Sequence, residues 1–147
     1  MGRARHHGHP HRRALARLLH GVGRNHGRDY VRSSPDLVHR SKPREVVFGG
    51  EGGTNRWSAE CPWVYRLPDT PWCFLFRTQQ YKPGAQMTRV YRSRDPYDFG
   101  IGDDGKLVAR LPVAAPEVVE SGGRVYLAAL DENLKGIRVC RLRFDRR

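Results

Sequence analysis

The chain has no run of about 18 apolar residues, so nothing in it reads as a membrane-spanning helix. Its three cysteines, Cys61, Cys73 and Cys140, are odd in number and share no Cys-x-x-Cys spacing. That pattern excludes a structural zinc motif and a disulfide framework. Reduced, mostly buried thiols are expected instead, because a free cysteine packs as a small hydrophobe. No metal and no cofactor is expected. Ala14 to Leu19 is too short, and too interrupted by Arg17, for a signal-peptide core, which leaves a cytoplasmic placement as the default. Acidic residues are absent from positions 1–28, and helix-favouring patterns are scarce in 29–147.

What is present is unevenly spread. The 147 residues suit one domain or part of a larger one, although 38% hydrophobic content and a mean hydropathy of -0.70 are low for a compact domain. Residues 1–28 hold seven Arg and six His, so 29–147 carries only +5 of the +12 net charge. This first stretch reads as a basic low-complexity tail, disordered or weakly helical. Leu15, Leu18, Leu19 and Val22 have the spacing of a short helix over Ala14 to Val22, marginal without apolar partners. The arginines suit phosphate backbones and the cluster His6, His7, His9 and His11 suits loose metal chelation, but composition alone does not build either site. No aromatic ring lies among these arginines, so nucleic acid is not the expected partner.

From Asp29 onward the texture is β. Strands are expected at Tyr30 to Ser34, Val46 to Phe48, Pro62 to Leu67, Trp72 to Arg77, Met87 to Ser93, Leu107 to Leu111, Pro116 to Glu120, Arg124 to Leu130 and Ile137 to Phe144. Pro68-Asp69-Thr70-Pro71 and Ser121-Gly122-Gly123 read as tight turns, and Gln79 to Gln86 as a loop. Gly49 to Asn55 reads as a flexible loop; a phosphate cradle would have to open a helix, and β-like sequence follows. The chain also echoes itself at about sixty residues: Val31-Arg32-Ser33 with its Pro-Asp-Leu matches Tyr91-Arg92-Ser93 with its Asp-Pro, and Val139 to Leu142 echoes the strand again. Such periods, with about four short strands each, mark β-propeller blades; about two such units are expected here, against the 4–8 blades of a closed ring.

Ser58 to Tyr65 carries the chemistry. Glu60 sits between small residues at the mouth of a β-prone run, flanked by Trp57 and Trp63. A carboxyl desolvated by rings stays protonated nearer neutrality, as a general acid must; the competing reading is a strand-edge Glu in water with Trp63 in the core.

Glu60-Cys61-Pro62, the strand Trp72 to Arg77, the segment Tyr91-Arg-Ser-Arg-Asp-Pro-Tyr-Asp-Phe-Gly100 and Pro116-Glu117-Val118-Val119 together resemble the five-bladed β-propeller glycoside hydrolases of families 32 and 43 (β-fructosidase and arabinosidase/xylosidase types). The resemblance covers roughly residues 29–147. It implies an all-β fold, a partial propeller over 29–147, an oligosaccharide or glycoside substrate and, for Glu60, the acid/base role. The family's nucleophile stretch, of Trp-x-Asn-Asp-Pro type, has no counterpart, and Arg94-Asp95-Pro96 follows Glu60 rather than preceding it, so Asp95 reads as a turn residue. Glycoside hydrolysis needs two carboxylates. Glu117 and Asp36 are the remaining candidates for the second, and Trp57, Trp63 and Arg77 the candidates for lining a sugar site. The expectation is a truncated, inactive member of the group, with a non-catalytic carbohydrate-binding or interaction module as the alternative. Unpaired strand edges are expected to promote self-association.

Overall fold

The computed structural model describes residues 15–82 and 84–145. The fold is all-β. Ten strands form three antiparallel sheets, none of them closed, and there is no α-helix among the described residues. Sheet one is β1 (Leu15–Gly23), β2 (His26–Ser34) and β3 (Arg44–Val47). Sheet two is β4 (Glu60–Arg66), β5 (Cys73–Lys82), β6 (Ala85–Ser93) and β7 (Leu107–Leu111). Sheet three is β8 (Val113–Ser121), β9 (Arg124–Asp131) and β10 (Ile137–Leu142). Each sheet pairs its strands in chain order, so three consecutive meanders replace the two units expected from the repeat.

Two expectations fail at the N-terminus. Leu15–Gly23 is a strand, not part of a helix, and the boundary expected between 28 and 29 falls inside β2. Arg24 and Asn25, at φ 50° and 64°, form a left-handed two-residue turn that matches strand twist and closes a hairpin, with Gly23 opposite His26. Pairing sets Leu18 opposite Val31, and both pack into the core. Burial of that face outweighs the weak helical spacing. His6, His7, His9 and His11, with the rest of 1–14, lie outside the described residues.

Sheet two is the middle layer. Cys73 to Gln79 is buried without interruption, as its unbroken apolar start predicts for a strand covered on both sides. Cys73 and Leu75 join Val31, Val46, Val47, Tyr91 and Phe99 against sheet one. Phe74 and Phe76 join Tyr65, Val90, Val118 and Leu127 against sheet three. Each such side chain contributes about 1.5–3 kcal/mol when fully buried. β5 runs on through Lys82 and β6 begins at Ala85, so the loop expected over Gln79 to Gln86 is strand at both ends. Of the three cysteines only Cys73 is buried; Cys61 and Cys140 are exposed.

The internal echo has a structural form. After β2, the Asp36 amide donates to Ser34 Oγ at 3.3 Å and the Val38 amide to Asp36 Oδ1 at 2.9 Å. After β6, the Asp95 amide donates to Ser93 Oγ at 3.1 Å and the Tyr97 amide to Asp95 Oδ1 at 2.8 Å. Ser34 therefore matches Ser93, one residue away from the register that Val31-Arg32-Ser33 suggested. Asp95 holds a turn, as its sequence context predicts. The opening strands of sheets two and three match as well. Cys61 (φ 48°) and Ala115 (φ 45°) each precede a proline, and each sits in a register break, between Glu60 and Trp63 and between Ala114 and Glu117.

Candidate functional site

The site lies where the bulged start of β4 meets sheet one. In the β1–β2 hairpin His20 pairs with Asp29, two residues along from the Leu18–Val31 pair. Period-two alternation therefore puts His20 and Asp29 on the face that packs against sheet two. Glu60 opens β4 opposite Thr78 and is half-buried. Desolvation raises the Glu60 pKa above the usual carboxylate range, and the nearby His20 pulls it partly back. Burial raises the Cys61 thiol too, and the charges of Glu60 and Asp29 push it further, which puts both carboxylates within electrostatic reach of that sulfur.

Asp29 is the residue sequence reasoning missed. Its side chain is fully buried, and burial pushes its pKa up to about 7 against the pull of Arg77. Arg77 is just as buried, with Nε 4.0 Å from Asp29 Oδ2. The guanidinium also donates to the carbonyls of Gly49 and Gly53, each at 3.2 Å. Neither Asp29 oxygen has a hydrogen-bond partner among the described residues. The signal in the sequence was an acid directly before an alternating strand, Asp29-Tyr30-Val31, but a strand-end Asp ordinarily reads as a solvated turn residue.

The glycine-rich segment, expected to be flexible, is moulded to Arg77. Gly50–Gly52 forms a single 3-10 turn, and a Cβ added at Gly52 would lie 2.6 Å from Arg77 Cζ and collide with Nη1. Gly52→Ala is therefore expected to cost about 1–3 kcal/mol through overpacking, read as a lower denaturation midpoint. An unchanged midpoint would mean that the loop yields freely. The same segment is held from its other side: the Glu51 amide donates to Asp104 Oδ2 at 2.8 Å, and the Glu51 carboxylate receives Arg110 Nε at 2.6 Å.

The other residues singled out from the sequence scatter around this centre. Trp57 and Trp63 are exposed, at 44% and 37%, rather than in the core. The Arg56 guanidinium lies 4.5 Å from the centre of the Trp57 ring. Trp63 helps line a shallow groove of about 380 Å³ with Arg17, Leu18 and Pro96. Arg77, expected to meet a sugar, is instead committed to Asp29 and the glycine loop. Asp36 caps its turn and accepts a hydrogen bond from His39 Nδ1 at 2.7 Å. Glu117 is exposed on β8, just past the Ala115 bulge. The Ala115 amide donates to Oγ1 of Thr78, the residue opposite Glu60, at 3.0 Å, so Glu60 and the start of β8 flank the same point of β5.

The arrangement supplies one half-buried carboxyl with a raised pKa, an exposed imidazole near it, two exposed indoles, and a buried Asp–Arg pair underneath. The buried pair touches no solvent and cannot contact a ligand. No group of three or more His, Cys, Asp or Glu among the described residues is placed to hold a metal ion. No described helix is long and apolar enough to cross a membrane. Compared with family models, with curated proteins and with solved structures, the chain matches none of them.

Proposed function

We propose that this chain is a glycoside-recognising, glycoside-hydrolase-like protein built as part of a β-propeller, with Glu60 as its proton-carrying carboxyl. The observation that carries this reading is the placement of Glu60: half-buried, with a raised pKa, on a bulged opening strand. Three consecutive meanders support the blade reading, as do the matched proline bulges at Cys61-Pro62 and Ala115-Pro116. Trp57 and Trp63 offer partly exposed rings to a sugar, β-fructosyl or pentosyl.

Hydrolysis needs a second carboxylate across the scissile bond. Asp29 is the carboxylate buried beside this centre and is out of a substrate's reach, while Glu117 stands exposed on the next opening strand. The chain is therefore expected to bind an oligosaccharide without turning over an aryl fructoside or aryl arabinofuranoside. Calorimetric titration with fructo- and arabino-oligosaccharides checks this. Trp57→Ala should weaken binding by about tenfold, the loss of one stacking contact worth about 1.4 kcal/mol. Turnover that Glu60→Gln abolishes would make the chain a complete hydrolase. Binding that survives Glu60→Gln but fails in Trp57→Ala marks a purely non-catalytic module, the reading favoured by the buried position of Asp29. Absence of any saturable binding would end the glycoside reading.

A further inference from the structure

The β1–β2 hairpin has a second face, turned away from sheet two. Burial alternates along β2: Gly27, Asp29 and Val31 are buried, while Arg28, Tyr30 and Arg32 are partly exposed. Cross-strand pairing sets Arg17 opposite Arg32, Leu19 opposite Tyr30 and Gly21 opposite Arg28, all on this outer face. The Tyr30 ring leans over Gly21, where an added Cβ would lie 2.9 Å from Tyr30 Cε2. In the sequence no ring lies among the arginines of residues 1–28; the pairing of β1 with β2 brings one beside Arg17 and Arg28. Charge here is one-sided. Residues 15–47 hold seven Arg and Lys against three Asp and Glu, which points to an anionic partner. β1, β2 and β3 contain two acids: Asp29 is buried on the opposite face, and Glu45 accepts from Arg28 Nη1 at 2.5 Å. Arg17 and Arg32 therefore stand opposite each other with no carboxylate of their own sheet left for them. Arg32 Nε donates to the Ser41 carbonyl at 2.7 Å, a neutral acceptor that leaves its charge uncompensated. Like charges directly opposite are destabilising in a sheet, and a bridging anion would relieve them.

We infer that the outer face of the β1–β2 hairpin binds single-stranded nucleic acid, with a base stacked on Tyr30 and the adjoining phosphate held between Arg17 and Arg32. Every base has a π-face, so a ring set beside positive charge takes a strand without reading its sequence. Charge and ring together decide the occupant. A phosphorylated peptide would satisfy the arginines and leave the ring unused. An anionic membrane would take up inserted apolar side chains, and among the described side chains of this face Leu19 is the one aliphatic group. A duplex keeps its bases stacked on each other and out of the ring's reach.

The test is fluorescence anisotropy of the full chain with labelled deoxyuridine and uridine strands of about twelve nucleotides, against a duplex of the same length. A single strand is expected to bind at least about tenfold tighter than the duplex. Preference for the deoxyuridine or for the uridine strand supports the inference either way and tells which sugar the natural strand carries. Tyr30→Leu keeps bulk over Gly21 without a ring. It should weaken single-strand binding about tenfold and leave duplex binding unchanged, whereas Tyr30→Phe should bind as the parent does. Arg17→Gln with Arg32→Gln should lower the slope of log affinity against log salt by about 0.7, the share of one phosphate. The same double variant should not lower the denaturation midpoint, because it removes a like-charge pair. Equal binding of strand and duplex, indifference to Tyr30→Leu, or equal affinity for inorganic polyphosphate would overturn the inference in favour of plain polyanion attraction, for which Arg3, Arg5, Arg12 and Arg13 suffice. Tighter binding to phosphatidylserine vesicles would overturn it in favour of a membrane, and binding to none of these probes would end it. All of these readouts leave Glu60 and Trp57 untouched, so this proposal and the glycoside reading stand or fall separately.

Discussion

Replacing Arg77 with methionine is expected to cost roughly 3–5 kcal/mol of stability, a large part of what holds a domain of this size together. The substitution removes more than one contact. It leaves Asp29 buried without its counter-charge, and the carbonyls of Gly49 and Gly53 lose their donors. Methionine fills much of the volume but cannot donate to either carbonyl. Arg77→Lys should recover only part of the loss, since an ammonium on a flexible stem lacks the planar fork that reaches Asp29 and two carbonyls at once. Denaturant titration of the single variants and of Arg77→Met combined with Asp29→Asn separates the terms. Measured above pH 7, where Asp29 is ionised in the parent fold, the cost should be at least about 1 kcal/mol smaller in the Asp29→Asn background, because the stranded carboxylate is gone. Equal costs in both backgrounds would show that Arg77 serves only the glycine loop.

Asp29 should make this fold less stable as pH rises from about 4 to about 7. The direction follows from proton counting. In the unfolded chain the carboxyl ionises near its ordinary value of 3.8, whereas in the folded chain burial keeps it protonated up to about 7. Across that window the folded state holds one more proton than the unfolded state, so stability falls with pH and levels off above the folded value. A gap of this size corresponds to roughly 4 kcal/mol. Asp29→Asn cannot titrate. Its stability relative to the parent should therefore shift in its favour by about that amount between pH 4 and 7. The difference between the two proteins also cancels the opposing contribution of Asp98, whose pKa is lowered by the hydrogen bond from Lys106. A pH-independent difference would mean that Arg77 keeps Asp29 ionised throughout.

Both predictions concern a pair that no motif announced. Asp29 and Arg77 lie in different sheets, and neither stands in a pattern that names the other. Glu60 was easier to find, because Glu-Cys-Pro between two tryptophans is a local feature whose chemistry depends mainly on its own strand. Even there, the shift is set from elsewhere: desolvation by the surrounding fold raises the pKa, and His20, which pulls it partly back, arrives on a strand that helical spacing had disguised. Trp57 and Trp63 show the limit from the other side: alternation marks which residues share a face, but not which face has a neighbour.

Local chemistry was sufficient for most of the strands after Asp29, the turn at Gly122-Gly123 and the Asp95 turn, because backbone preferences and period-two burial act within a few residues. Tertiary structure alone decided the rest. It made Leu15–Gly23 a strand by giving Leu18 a core to enter. It closed the glycine loop around a guanidinium from β5, and it buried Asp29 out of reach of any ligand. Those outcomes depend on which sheet packs against which, and packing partners far apart in the chain leave no periodic trace in either segment.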